Sequence, residues 1–89
     1  MSHTPVAIIG AGRIGHVHSE AIASHPEAQL VLVCDPVGTA AEDLAALHGA
    51  RSCKDAAEVF ADPEVDAVVI GSPSTLHAEQ VLAAARAGK

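Results

Sequence analysis

The sequence predicts an α/β protein built on a doubly wound parallel sheet. Three observations carry this. Short apolar, β-branched runs recur along the chain, each followed by a longer stretch with helical spacing. The runs show no polar alternation, as expected of strands covered on both faces. A glycine-rich turn, Gly10-Ala11-Gly12-Arg13-Ile14-Gly15, joins the first run directly to the first helical stretch.

The elements follow in order. Val6-Ala7-Ile8-Ile9 is the first strand, ending at Gly10. Residues 13–25 form a helix, with Ile14, Val17, Ala21 and Ile22 expected on its buried face, and Pro26 ends it. Residues 30–34 are a second strand, stopped by Asp35-Pro36. Residues 39–48 are a second helix, with Thr39 as N-cap, Glu42 completing a capping box and Gly49 as C-cap glycine. Residues 50–53 give a short third strand. Asp55 caps a short helix through Phe60, and Asp62-Pro63 marks a turn. Residues 66–70 are a fourth strand, broken by Gly71-Ser72-Pro73, and residues 75–87 a last helix before Gly88.

Such alternation implies right-handed crossovers and the strand order 3-2-1-4. A complete dinucleotide fold continues to six strands. The four counted here would leave an apolar strand at an open edge. Residues 1–89 are therefore expected to be a partial dinucleotide-binding, Rossmann-type domain of a longer protein, without a substrate domain.

Composition narrows the function. Of 89 residues, 49% are hydrophobic, with one Phe and no Trp or Tyr, so the core is aliphatic. Eleven acidic against five basic residues give a net charge of −6, with no basic cluster, which argues against nucleic acid and anionic membranes as partners. Met1-Ser2-His3-Thr4 has no basic leader character, and the default compartment is the cytoplasm. Cys34 and Cys53 have no CxxC spacing and are expected to be buried free thiols, with a disulfide or a reactive thiol as the alternative.

The glycines have separate tasks. Gly10 permits the tight turn, Gly12 lets backbone approach a pyrophosphate, and Gly15 lets the helix pack closely. The first-turn N–H groups, including those of Arg13 and Ile14, then face the phosphates. Asp35 lies about 20 residues past the third glycine, where a carboxylate accepts both hydroxyls of an adenosine ribose. It would repel a 2′-phosphate, and neither Pro36 nor Val37 can bind one by side chain. NAD is thus favoured over NADP. Ser72-Pro73-Ser74-Thr75-Leu76-His77 follows strand four beside the switch point, so Ser72, Pro73 and His77 are candidate contacts on the nicotinamide side.

No metal site is expected. His16 and His18 point about 200° apart on a helix and cannot share an ion, and no zinc-like spacing occurs. No nucleophile–base pair and no catalytic residue is identified.

Four segments together resemble the N-terminal part of the Gfo/Idh/MocA oxidoreductases: Ile8-Ile9-Gly10-Ala11-Gly12-Arg13-Ile14-Gly15, Leu32-Val33-Cys34-Asp35-Pro36, Val65-Asp66-Ala67-Val68-Val69-Ile70 and Ser72-Pro73-Ser74-Thr75-Leu76-His77. The Gly12-Arg13-Ile14-Gly15 wording is most like the inositol dehydrogenase-like branch. The resemblance implies hydride transfer between a nicotinamide and a sugar or polyol hydroxyl. It implies a Glu-Lys-Pro strand and a second domain carrying the catalytic groups, and a full-length protein that forms homo-oligomers. Lys89 precedes that strand, lacks the flanking Glu and Pro, and is not the catalytic lysine. Two other readings compete: a non-catalytic NAD-binding or redox-sensing module, and an adenosyl-cofactor methyltransferase, whose usual G-x-G-x-G turn differs from the one here.

Overall fold

The structure, a computed structural model, describes residues 4–71 and Gly88. Its elements are β1 (Thr4–Ile9), α1 (Arg13–Ser24), β2 (Ala28–Cys34), α2 (Gly38–His48), β3 (Arg51–Cys53), α3 (Ala56–Ala61) and β4 (Ala67–Ile70). The strands form one sheet in the order β3-β2-β1-β4, and every pairing is parallel. This is the expected topology. The expected helix over residues 75–87 lies outside the described residues.

The inner strands β1 and β2 are covered on both sides, which is why residues 6–9 and 30–34 read as unbroken apolar runs, whereas the edge strand β3 is short, polar and largely exposed. On one face Val6, Ile8, Leu30 and Val33 meet Ile22 of α1 and Ala41, Leu44 and Ala45 of α2. On the other, Ala7, Ile9, Leu32 and Cys34 meet Val59 of α3 and Val65. Leu30 and Leu32 are two apart yet face opposite sides. The register slips between Val6 and Ala7, which pair with Leu30 and Leu32, so β2 carries one extra residue there. Such a bulge resets the alternation.

Two local expectations are corrected. The buried face of α1 is Gly15, Ser19 and Ile22, while Ile14 and Val17 are 55% and 59% exposed and Ala21 is also exposed. The cause is close approach: a Cβ at Gly15 would stand 2.0 Å from the Gly10 carbonyl oxygen. Only small residues fit at that side of the first turns. Buried Ser19 is satisfied locally, since its hydroxyl donates to the Gly15 carbonyl at 2.8 Å.

The second correction concerns α2. It begins at Gly38, with Val37 at the N-cap and no side-chain cap. Thr39 lies inside the first turn, so its expected capping box does not form. Asp35 takes over the entry instead, its Oδ1 accepting the Val37 N–H at 2.8 Å. Elsewhere the punctuation is as expected. Gly49 closes α2 with φ +66°, and the Asp55 carboxylate accepts the Ala57 N–H at 2.9 Å to cap α3.

Candidate cofactor-binding site

Parallel strands all end on the same edge of the sheet, and three backbone hydrogen bonds knit that edge together. Gly10 N–H donates to the Cys34 carbonyl at 2.7 Å, Asp35 N–H to the Cys53 carbonyl at 3.1 Å, and Gly71 N–H to the Ile9 carbonyl at 2.8 Å. The ends of β1, β2, β3 and β4 are thus held level. In an open α/β sheet, ligands bind just outside this edge, where the strand order reverses beside β1.

The glycine turn occupies that place. Gly10 adopts φ +108°, a conformation L side chains rarely adopt. Gly12 is the N-cap of α1, and among the described residues no side-chain cap bond is found there. The first helical bond runs from His16 N–H to the Gly12 carbonyl at 3.0 Å. The N–H groups of Arg13, Ile14 and Gly15 therefore have no intrahelical acceptor. No acidic side chain occupies the first turn. A Cβ on Gly12 would meet none of the described residues within 4 Å, which leaves open space over the turn among them. Free donors, the positive end of a helix dipole and room for a group of atoms suit a pyrophosphate.

Asp35 joins this turn from the next strand. Its Oδ2 accepts the Ala11 N–H at 2.8 Å, while its Oδ1 holds Val37. Each carboxylate oxygen accepts through two lone pairs, so one backbone bond per oxygen leaves capacity for a ligand hydroxyl. Sequence reading placed Gly10, Gly12, Arg13, Ile14, Gly15 and Asp35 in one site, and the structure brings them together at one corner of the sheet. Ser72, Pro73 and His77 lie outside the described residues.

Two features of this corner escaped the sequence. The Ala11–Asp35 bond depends on how β1 and β2 pair, which spacing alone does not reveal. Lys54, 19 positions beyond Asp35, runs its side chain over Gly38, where a Cβ would stand 2.6 Å from Lys54 Cε. The cue in the sequence was that Lys54 directly follows the short third strand, as Asp35 follows the second.

Cys34 and Cys53 are register partners on β2 and β3, and both are free thiols. Burial pushes the Cys34 thiol up to about 12, with neighbouring Cys53 adding to the shift, and burial also raises Cys53. Among the described residues no group of three or more His, Cys, Asp or Glu is placed to hold a metal ion. No helix among them is long and apolar enough to cross a membrane.

Fold and site together define a dinucleotide-binding α/β domain. Residues 4–89 match the model of an oxidoreductase family, Gfo/Idh/MocA, described as having an NAD-binding Rossmann fold, and the chain belongs to that family. It is 45% identical over 86 residues to inositol 2-dehydrogenase of Rhizobium meliloti, covering 92% of this chain and 24% of the relative. It superposes on a myo-inositol dehydrogenase of Corynebacterium glutamicum with a TM-score of 0.92 and 40% identity, over 99% of this chain and 26% of that one. Scyllo-inositol dehydrogenase of Lactobacillus casei, solved with NAD(H) and scyllo-inositol bound, aligns with a TM-score of 0.91 and 29% identity, again over 99% and 26%. The chain thus spans about a quarter of the length of these relatives.

Proposed function

We propose that this chain is the cofactor-holding part of an NAD-dependent dehydrogenase that oxidises a hydroxyl of a sugar or polyol, with an inositol as the favoured substrate class. The observation that carries the reading is the meeting of Asp35 with the glycine turn, through the 2.8 Å bond from Ala11 N–H. It brings a ribose acceptor and a pyrophosphate cradle within one dinucleotide's reach. The inositol dehydrogenases among the relatives support the substrate class.

In this reading the backbone at Gly10, Gly12, Arg13, Ile14 and Gly15 binds the pyrophosphate. Asp35 accepts the two adenosine ribose hydroxyls, and Ser72, Pro73 and His77 line the nicotinamide side. The exposed Val37 side chain, 60% accessible beside Asp35, offers an apolar surface for adenine. NAD supplies the hydride acceptor. The groups that bind the polyol and take its hydroxyl proton belong to the remainder of a longer, cytoplasmic, homo-oligomeric protein. Two free thiols at the site's edge suit a reducing compartment.

The test is a thermal melt of the chain with increasing NAD, paired with an assay for NADH formation from myo-inositol. A transition that climbs with NAD, as mass action requires, with no NADH formed by the 89 residues alone, is expected. An unmoved transition, or turnover by this chain, contradicts the reading.

A further inference from the structure

Two opposite charges leave the sheet at the same corner. Cys34 of β2 pairs in register with Cys53 of β3, and the Asp35 N–H extends that ladder onto the Cys53 carbonyl at 3.1 Å. Asp35 and Lys54 are the next residues on these neighbouring strands. The Lys54 stem then lies across Gly38, the first residue of α2. A Cβ on Gly38 would stand 2.6 Å from its Cε and 3.5 Å from its Cγ and Cδ. Glycine at position 38 leaves the space that the lysine stem fills.

Lys54 is exposed, and the ion pairs found among the described residues belong to Arg51, with Asp62 and Glu64. Both Asp35 oxygens are already engaged by backbone N–H groups, on Ala11 and Val37. The Lys54 stem therefore crosses the start of α2, beside the segment that Asp35 opens, and among the described residues no ion pair joins it to the Asp35 carboxylate.

We propose that Lys54 is a specificity residue for the cofactor, placed to bind a 2′-phosphate on the adenosine ribose and opposed in this by Asp35. The proposal rests on the reading of Asp35 as ribose ligand. The two side chains favour different ligands. Asp35 accepts hydrogen bonds from free 2′ and 3′ hydroxyls and repels a phosphate dianion. Lys54 gains a charge-assisted hydrogen bond only when that phosphate is present. Pro36 and Val37 have no side-chain donor, so at this corner the phosphate-binding cation comes from the adjacent strand rather than from the residues after Asp35. The preference for NAD is then a balance between two residues, and weakening one lets the other decide.

Calorimetric titration of the full chain with NAD and with NADP tests this, using Asp35→Ser, Lys54→Gln, Lys54→Arg and the Asp35→Ser/Lys54→Gln pair, each checked for folding by circular dichroism. Asp35→Ser is expected to weaken NAD and to tighten NADP about tenfold, the scale of one hydrogen bond to a charged group. Adding Lys54→Gln should abolish that gain. In the wild-type background Lys54→Gln should weaken NADP about tenfold and NAD far less, and Lys54→Arg should retain NADP binding. This arm stands even if Asp35→Ser does not fold. The proposal is overturned if Lys54→Gln leaves NADP affinity unchanged, if it weakens both cofactors equally, or if Asp35→Ser gains nothing for NADP. If Asp35→Ser leaves NAD affinity intact, the ribose reading itself fails, whatever Lys54 does.

Discussion

The Asp35 carboxylate accepts the Ala11 N–H at 2.8 Å, across 24 positions of sequence. This bond ties the end of β2 to the glycine turn after β1, and Ala11 is only 4% exposed. Asp35 is thus part of the fold before any ligand arrives. Asp35→Ala should lower stability by about 1–3 kcal/mol, because it strands a buried donor. Asp35→Asn keeps an acceptor oxygen and should recover part of the loss. Chemical denaturation of the three proteins checks this ordering.

Gly15 touches the other end of the turn. A Cβ there would meet the Gly10 carbonyl oxygen at 2.0 Å and its carbon at 2.9 Å, both backbone atoms that cannot swing aside. Gly15→Ala should cost about 1–3 kcal/mol. For a domain of this size each kcal/mol is about 4–8 °C in Tm. A melt unchanged from wild type would show that α1 does not pack as closely as described.

The helix entries give a paired prediction. Asp55 caps α3 through the Ala57 N–H, whereas Thr39 makes no cap for α2. Asp55→Ala should cost about 1 kcal/mol. Thr39→Ala should stay within about 0.5 kcal/mol. Equal losses would restore the capping box that sequence spacing suggested.

Cys34 predicts an alkaline limit. Its folded thiol is held up to about 12 by burial, against 9.0 for the ordinary group. Below pH 9 the thiol is protonated in both states and contributes no slope. Between pH 9 and 12 the unfolded chain loses a proton that the folded chain keeps, so stability falls as pH rises. The slope is at most about 1.4 kcal/mol per pH unit. Denaturation midpoints from pH 8 to 11 should fall more steeply in wild type than in Cys34→Ala. Parallel curves would contradict this.

The parts legible in the sequence are those with one physical cause. Unbroken runs such as Val6-Ala7-Ile8-Ile9 arise because both sheet faces are covered, and they marked the inner strands, while the alternation of strands with helices implied the order. Gly10, Gly49 and Asp55 each answer a local backbone need, so they could be read locally. The face of α1 could not. Apolar spacing selected Ile14, Val17 and Ala21, but contact with the turn demands small residues, and Gly15 and Ser19 carry no apolar signal. Spacing marked Asp35 as the candidate ribose acceptor, whereas its bond to Ala11 and the placing of Lys54 over Gly38 arise only when strands pair.

The central claim is that the turn over residues 10–15 holds the phosphates of a dinucleotide. Gly12 tests it most directly. Its φ of −79° suits any residue, and a Cβ there meets none of the described residues within 4 Å. Gly12→Val should therefore fold like wild type, with the side chain standing where a pyrophosphate would lie. Calorimetric titration with NAD should show affinity reduced at least about tenfold, as from one lost charge-assisted contact. A folded Gly12→Val protein that binds NAD as tightly as wild type would contradict the account.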